Sequence, residues 1–208
     1  MNWDNLIKNK FINNFRPGIY CDVGACKGEY TTLFKQLCGT GKVFAFEINQ
    51  KNLLDIEHLS SDKCIIENLA VSDKDGCKID VYGQEYQSNI LGYDVGFNKC
   101  DIVGSVESVT LDNYFKNIKV DFLKIDVEGS ELKVILGGIN TIKNSKLTII
   151  ECHFDEDWEE IYSVLKKNNL NFRNIIDDEF VFYGNTKQIP GRSFNGRPYQ
   201  MYLMRVDE

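Results

Sequence analysis

Histidine, long apolar runs and paired cysteines are scarce in this sequence, and each scarcity excludes a class of protein. The 208 residues contain two histidines and no CxxC pair, so the ligand set of a structural zinc site is missing. No apolar run approaches the roughly 20 residues that a membrane-spanning helix needs. The N-terminal sequence MNWDNLIKNKF has no apolar signal-peptide core, so a cytoplasmic location is expected.

Excess positive charge is also missing, because 24 Lys and Arg residues stand against 31 Asp and Glu residues, a formal net charge of −7. Attraction to phosphates dominates general nucleic-acid binding, so neither nucleic acid nor an anionic membrane is an expected partner. The seven cysteines are odd in number and scattered, and Cys21, Cys64 and Cys152 lie in apolar runs. Buried free thiols are therefore expected instead of disulfides.

What the sequence does contain indicates one globular domain over residues 1–208, with a helical lead at 1–17. Hydrophobic residues make up 43% and charged residues 26%, and a chain of this length can bury a substantial core. Short apolar runs alternate with helical periodicity, which predicts an α/β fold with a mainly parallel sheet. The sequence does not predict the oligomeric state.

Five apolar runs predict the core strands, at residues 18–23, Lys42–Phe46, 64–66 continuing towards Val71, 120–125 and Leu147–Cys152. Helices are predicted from Tyr30, after a cap at Asn49, as one helix over 132–142, and over 158–165. Shorter extended pieces are predicted at 79–82 and 106–111, and a closing hairpin from 180–183 and Tyr199–Met204. The stretches 83–105 and 185–198 are candidate substrate loops, with plain solvated connections as the alternative.

A glycine-bearing loop, DVGACKG at residues 22–28, follows the first predicted strand. Gly24 and Gly28 let the backbone approach a ligand closely, because glycine has no Cβ. Glu47 ends the second strand, where an acidic side chain can accept both hydroxyls of a ribose. Asp22 can reach the other end of such a ligand directly or through water. The pattern predicts a nucleoside ligand, and a bare structural turn is the alternative.

The spacing of these glycines argues against a dinucleotide. The fingerprint G-x-G-x-x-G is absent, so a pyrophosphate would have little room, and no GK[ST] phosphate loop occurs. Adenosine joined to an amino acid, without phosphate, fits the loop better.

A second group of polar residues follows the fourth and fifth predicted strands. Asp126 and Glu128 come after one strand, and Glu151 and His153 end the next. Ligands of parallel sheets bind beyond the carboxyl ends of strands, so these side chains are expected beside the cofactor. Asp126, Glu128 and His153 are candidate general bases, and Lys124 is a further catalytic candidate that could instead neutralise the carboxylates.

Each of these residues also has a structural interpretation. The two carboxylates after the fourth strand could complement the dipole of the next helix, His153 could be an ordinary polar residue, and Lys124 could lie on the surface. No metal ion is predicted, although the carboxylates allow one.

With these motifs the sequence resembles the FkbM-type methyltransferases. The matching runs follow the family's order across residues 19–154, and they are IYCDVGACKGEYT, KVFAFEIN, ENLAVSDKDG, VTLDNYF, VDFLKIDVEGSELKVILGG and IIECHF. LKIDVEGSE is the most specific run, whereas Cys26 stands where the family commonly has Asn. The resemblance implies the α/β, Rossmann-like class I methyltransferase fold, with a mainly parallel seven-stranded sheet flanked by helices and a C-terminal antiparallel hairpin.

The resemblance also implies a donor, S-adenosyl-L-methionine, and usually a hydroxyl oxygen as the acceptor. It assigns Asp126 and Glu128 to the reaction centre, and it places Ser72 and Asp73 near the adenine. The residues that it assigns to the cofactor are Asp22, Gly24, Gly28, Glu47, Asn68, Ala70 and Asp126.

Three functions follow as hypotheses. The first is O-methylation of a sugar, a glycan or another small molecule. The second is an NAD-dependent oxidoreductase on a similar fold, against which the missing central glycine counts. The third is a non-catalytic nucleoside-binding module, against which the retained acids count. Methylation of nucleic acid is disfavoured by the acidic net charge and by the lack of an NPPY-like or PC motif.

Overall fold

The computed structural model describes residues 16–84, 87–92, 99–153, 158–174 and 199–204. The strands are β1 (Ile19–Val23), β2 (Lys42–Phe46), β3 (Cys64–Glu67), β4 (Leu69–Val71), β5 (Lys78–Gln84), β6 (Gln87–Asn89), β7 (Ile102–Val109), β8 (Phe122–Ile125), β9 (Leu147–Cys152), β10 (Arg173–Asn174) and β11 (Tyr199–Met204). The helices are α1 (Glu29–Leu37), α2 (Gln50–Ile56), α3 (Leu111–Tyr114), α4 (Glu131–Leu136), α5 (Ile139–Asn144) and α6 (Trp158–Lys167).

The main sheet has the strand order β10-β11-β9-β8-β1-β2-β3, and the five strands from β9 to β3 are parallel. All four residues of β8 are buried, as are four of the five in β1. Strands covered on both faces form continuous apolar runs, which explains why these strands were recognisable in the sequence. The predicted α/β fold with a mainly parallel sheet is confirmed.

A second, mixed sheet of order β4-β7-β5-β6 was not predicted. It begins where β3 ends, because the Asn68 side-chain amide donates to the backbone oxygen of Glu47 at 2.9 Å and interrupts the strand before Leu69. The main sheet contains seven strands, of which five are parallel and two, β11 and β10, are paired antiparallel. The expected fold is nevertheless wrong in detail, because a separate mixed sheet of four strands is also present.

The C-terminal strand β11 runs antiparallel to β9, and its second neighbour is β10. The proposed hairpin partner, 180–183, lies outside the described residues, as do 185–198 and residues 1–15 of the expected helical lead. The stretch 83–105 is not one loop, because parts of it belong to β5, β6 and β7.

Two predicted elements change type or break. The single helix expected over 132–142 is divided at Gly137 and Gly138 into α4 and α5. A Cβ on Gly137 would lie 2.0 Å from the backbone oxygen of Ser72, so the chain passes too close for a continuous helix of larger residues. The extended piece expected over 106–111 ends at Val109, because the Thr110 side chain caps α3.

All seven cysteines are free thiols, as expected, and five of them are buried. Among the described residues, no helix combines the length and the apolar character needed to cross a membrane.

Candidate functional site

The loop between β1 and α1 lies across the carboxyl ends of β2 and β8. The backbone N–H groups of Gly24 and Ala25 both donate to the Phe46 oxygen at 3.0 Å. Gly24 has a φ of 82°, and a Cβ there would lie 1.7 Å from the backbone oxygen of Asp126. Only glycine fits this contact, so the loop is held tightly between two neighbouring strand ends.

Glu47, directly after β2, has a carboxylate in a fixed orientation. One of its oxygens accepts from the Cys26 backbone N–H and the other from the Asn49 N–H, both at 2.7 Å. The residue is 4% exposed, and this burial raises the pKa of its carboxyl, while those two hydrogen bonds and one from the Asn52 side chain oppose the rise. Because the Asn52 side chain takes a third lone pair, the carboxylate keeps one acceptor position for a ligand hydroxyl.

A cavity opens over these strand ends and joins the two groups of predicted residues. Its lining includes Glu47 after β2 and both Asp126 and Glu128 after β8. The full lining is Val23, Gly24, Cys26, Phe46, Glu47, Ile48, Asn52, Leu69, Val71, Ser88, Asp126, Val127 and Glu128. Apolar surface from β2 and β4 and two carboxylates after β8 therefore border the same space.

Two of the predicted cofactor residues, Asp22 and Gly28, do not line this cavity. Asp22 is fully buried, and its Oδ2 accepts from the Thr31 hydroxyl at 2.7 Å. Gly28 has a φ of 76° and faces Ile56 and Leu59, with no room for a Cβ between them. Both residues therefore hold the loop in place through contacts on its buried side.

The residues expected near the adenine are also displaced from the cavity. Asn68 holds the backbone after β2 in place, and Ala70 is buried in a small core of the second sheet. Because side chains alternate along a strand, Leu69 and Val71 of β4 line the cavity instead. Neither Ser72 nor Asp73 is among the lining residues.

Lys124 lies beneath the loop and joins carboxylates from two strands. Its Nζ lies 3.4 Å from Asp22 Oδ1 and 3.2 Å from Asp126 Oδ2, and it donates to the Gly24 oxygen at 3.2 Å. Burial alone would lower the pKa of Lys124, but the neighbouring carboxylates outweigh it and raise the pKa. Lys124 is not a lining residue, and its position is that of a neutralising cation.

His153 lies against four carboxylates. Its Nδ1 is 2.9 Å from Glu131 Oε1, and its Nε2 is 3.6 Å from Asp126 Oδ1, 3.6 Å from Glu128 Oε2 and 3.7 Å from Glu151 Oε1. Burial alone would lower the pKa of His153, but the hydrogen bond to Glu131 and the surrounding charges raise it to about 10. These surroundings favour the protonated ring, which would stabilise the carboxylates around it as long as no ion occupies the site.

Glu128 adopts a backbone conformation that is rare for a residue with a side chain. Its φ is 52°, in the left-handed region, and Gly129 follows with a φ of 101°. Such a conformation costs on the order of 1–3 kcal/mol. Burial raises the pKa of the Glu128 carboxyl, with His153 acting in the opposite direction. The turn directs this carboxyl to the cavity, where it is 30% exposed.

Sequence reasoning missed several residues of the site. Glu131, which orients His153 and accepts from the Gly129 N–H at 3.0 Å, stands within the quoted run LKIDVEGSE and was given no role. Ser88 lies in the stretch expected to be a substrate loop. Asn52 carried no signal, because its place depends on how α2 packs.

Comparison with solved structures shows the same fold in other proteins. An rRNA methylase from Streptococcus thermophilus has 13% sequence identity and a TM-score of 0.52, over 97% of this chain and 95% of that chain. SMU.1697c from Streptococcus mutans, solved in complex with SAH, has 11% identity and a TM-score of 0.53, over 99% of each chain. None of the curated proteins compared matches the sequence.

The family comparison covers most of the chain. The profile of the methyltransferase FkbM domain matches residues 22–173, which include the loop after β1, Glu47, the Asp126–Glu128 turn and His153. The resemblance that the motifs carried is confirmed, and the chain belongs to the FkbM methyltransferase family.

Proposed function

We propose that this protein transfers the methyl group of S-adenosylmethionine to a hydroxyl oxygen of a sugar, a glycan or another small molecule. The observation that carries the proposal is that Glu47, Asp126 and Glu128 line the same cavity. A donor bound at Glu47 and an acceptor beside the carboxylates would meet in one space. Holding two reactants in line is the main demand of methyl transfer.

The residues at the Glu47 end suit an adenosine without phosphates. The Glu47 carboxylate is aligned by a backbone N–H on each oxygen and is positioned to accept from one ribose hydroxyl. It can accept from the second hydroxyl when the Asn52 side chain gives up its hydrogen bond. Leu69 and Val71 offer apolar surface to an adenine ring. Because Gly24 has no Cβ, the loop lies directly against the backbone of Asp126, and the space beside Glu47 stays open.

The residues at the other end suit the acceptor. S-adenosylmethionine supplies a methyl group on a sulfonium, so an O–C bond forms as the C–S bond breaks and the electron pair stays on sulfur. The acceptor hydroxyl must also lose its proton, and Glu128 is the proposed general base because it lines the cavity. Asp126 is held by Lys124 and fixes the loop at this point.

Membership of the FkbM family supports methyl transfer over the NAD-dependent alternative. The net charge of −7 supports a small or carbohydrate acceptor over nucleic acid. The likeness to an rRNA methylase concerns the fold and carries no argument about the acceptor.

The experiment is a transfer assay with S-adenosylmethionine labelled in its methyl group and a panel of hydroxylated sugars, glycans and small molecules. We expect labelled methyl ether in at least one product, and loss of that product in Glu128→Gln. Cofactor binding without transfer to any member of the panel would instead favour a non-catalytic binding module.

A further inference from the structure

The imidazole of His153 is fixed in a way that the methyl donor does not explain. Its side chain is 6% exposed, and Nδ1 is engaged by Glu131 at 2.9 Å. Within the part of the chain that the structure describes, Nε2 makes no hydrogen bond, although it faces Asp126 and Glu128. A buried ring nitrogen that faces two carboxylates can act as a metal ligand when it is unprotonated.

The distances within this group suit coordination better than hydrogen bonding. Nε2 lies 3.6 Å from Asp126 Oδ1 and 3.6 Å from Glu128 Oε2, and the three ligand atoms all lie within 4.8 Å of one another. Ligand atoms about 2.1 Å from one ion lie roughly 3–4 Å from each other. Small side-chain movements would therefore bring all three atoms to coordination distance from one ion.

Glu131 supplies the support that a ligating histidine usually has. Its Oε1 contacts His153 Nδ1 and also accepts from the Gly129 backbone N–H at 3.0 Å. The residue is 2% exposed, so the carboxylate cannot swing away into solvent. A carboxylate on the second ring nitrogen fixes the tautomer and directs Nε2 to the ion.

The charges of the group leave room for a cation. Within the described residues, the carboxylates of Asp22, Asp126, Glu128 and Glu131 have two basic neighbours within 4.0 Å, Lys124 and the His153 ring, and the ring is neutral when it binds an ion. A divalent ion would reduce this imbalance where the carboxylates converge.

We propose that Asp126, Glu128 and His153 bind a divalent first-row transition metal ion beside the acceptor end of the cavity. Two carboxylates and one imidazole suit Mn²⁺ or Zn²⁺ better than Mg²⁺, which prefers oxygen ligands alone. Binding of the ion rests on these residues only, whereas its role rests on the proposed function. There, the ion would hold the acceptor oxygen and lower the pKa of its hydroxyl, and the Glu128 oxygen that does not bind the ion would accept the proton.

The test uses the full chain, stripped of metal with a chelator and titrated with Mn²⁺ in the absence of cofactor. Loss of the free Mn²⁺ electron paramagnetic resonance signal measures binding, and spin-echo modulation from an imidazole nitrogen reports His153 as a ligand. We expect one ion per chain with nitrogen modulation. His153→Gln should lose the modulation and bind at least about tenfold more weakly.

His58→Gln is the matched control, because His58 is the other histidine and lies exposed on the surface. It should keep both the affinity and the modulation. Glu131→Gln keeps all three ligands and should weaken binding by about tenfold, which covers the case in which His153→Gln does not fold.

Absence of Mn²⁺ binding to the wild-type chain, or binding without nitrogen modulation, would overturn the inference and leave the ring as an ion-pair partner of the carboxylates. The same protein is titrated with S-adenosylhomocysteine in parallel. Cofactor binding without metal binding refutes only the metal site, and metal binding without cofactor binding refutes the proposed function.

Discussion

Glu47 shows how one residue can be costly in the folded chain and useful to a ligand. Its carboxylate is 4% exposed, and burial of a charge is unfavourable unless hydrogen bonds satisfy it. The backbone N–H groups of Cys26 and Asn49 satisfy part of that demand. The Asn52 side chain satisfies a further part, and the ribose would satisfy the rest, so Glu47 should contribute strongly to cofactor affinity.

We predict that Glu47→Ala raises the dissociation constant for S-adenosylhomocysteine by roughly 10- to 100-fold, because charge-assisted hydrogen bonds are lost. Calorimetric titration measures the change. Glu67→Ala is the matched control. Glu67 ends the neighbouring strand β3, accepts a hydrogen bond from the Tyr114 hydroxyl at 2.7 Å and is not among the residues that line the cavity. Equal affinity in wild type and Glu47→Ala would remove the ribose assignment.

The raised pKa of Glu47 predicts a pH dependence of the same affinity. The ionised form accepts the ribose hydroxyls, so affinity should weaken as pH falls through this pKa, above the ordinary value of 4.5. The folded chain also holds this proton more tightly than the unfolded chain. Glu47 therefore contributes stability at acidic pH that is lost as pH rises through the folded pKa.

The measurement is the dissociation constant of S-adenosylhomocysteine between about pH 7.5 and about pH 5, where an ordinary carboxyl would stay ionised. Glu47→Gln should bind weakly with a flatter pH profile. The same slope in the wild type and Glu47→Gln would mean that another group causes the dependence.

Glu128 is placed to act on the acceptor and not on the donor. We predict that Glu128→Gln lowers kcat by about 10²- to 10⁴-fold, the range for loss of a general base, and changes the cofactor dissociation constant by about twofold or less. Steady-state kinetics and calorimetry separate the two quantities. Glu107→Gln, an exposed residue of β7, should match the wild type in both. A large loss of cofactor affinity in Glu128→Gln would contradict this role.

At the scale of elements, the buried strands of the main sheet were predictable from the sequence, whereas breaks caused by contacts with distant residues were not. Lys42–Phe46 and Leu147–Cys152 were predicted with the bounds that they have, because a fully buried strand is a continuous apolar run. The break at Asn68 was missed because its partners, the carbonyls of Glu47 and Ile48, are about 20 residues away. The division of α4 from α5 depends likewise on the distant Ser72.

The same limit applies to the candidate site. Gly24, Glu47, Asp126 and Glu128 follow strand ends, where parallel sheets bind their ligands, so the sequence alone pointed to residues that line the cavity. Leu69 and Val71 reach the cavity only because β4 leaves the main sheet. An acid in the first turn of a helix, such as Glu131, usually complements the dipole, so its contact with His153 required coordinates.

The loop after β1 gives a prediction about an element. Gly24→Ala should lower stability by more than the roughly 1–2 kcal/mol that a left-handed conformation costs, and should weaken S-adenosylhomocysteine binding, because its Cβ would strike the backbone of Asp126. Denaturant unfolding and calorimetry measure the two effects.

Gly76→Ala separates strain from collision. Gly76 has a similar φ of 68°, but nothing lies within 4 Å of its added Cβ. Gly76→Ala should lower the free energy of unfolding only by the cost of the left-handed backbone conformation, and it should leave cofactor binding unchanged. Equal losses in the two variants would mean that the close contact at Gly24 has no role in the cavity.

At the scale of the whole molecule, the cavity draws its lining from both sheets. Val23 and Phe46 belong to the parallel sheet, whereas Leu69, Val71 and Ser88 belong to the mixed sheet. The second sheet is thus part of the site. A donor bound in this cavity would contact both sheets. The carboxylates of Asp126 and Glu128, proposed to face the acceptor, lie at the edge of the main sheet.

The most direct test of the central claim is a calorimetric titration of the wild-type chain with S-adenosylhomocysteine and, separately, with NADH. The account predicts saturable binding of one S-adenosylhomocysteine per chain and no binding of NADH at the same concentrations. Binding of NADH without binding of S-adenosylhomocysteine would contradict the assignment of this cavity to a methyl donor.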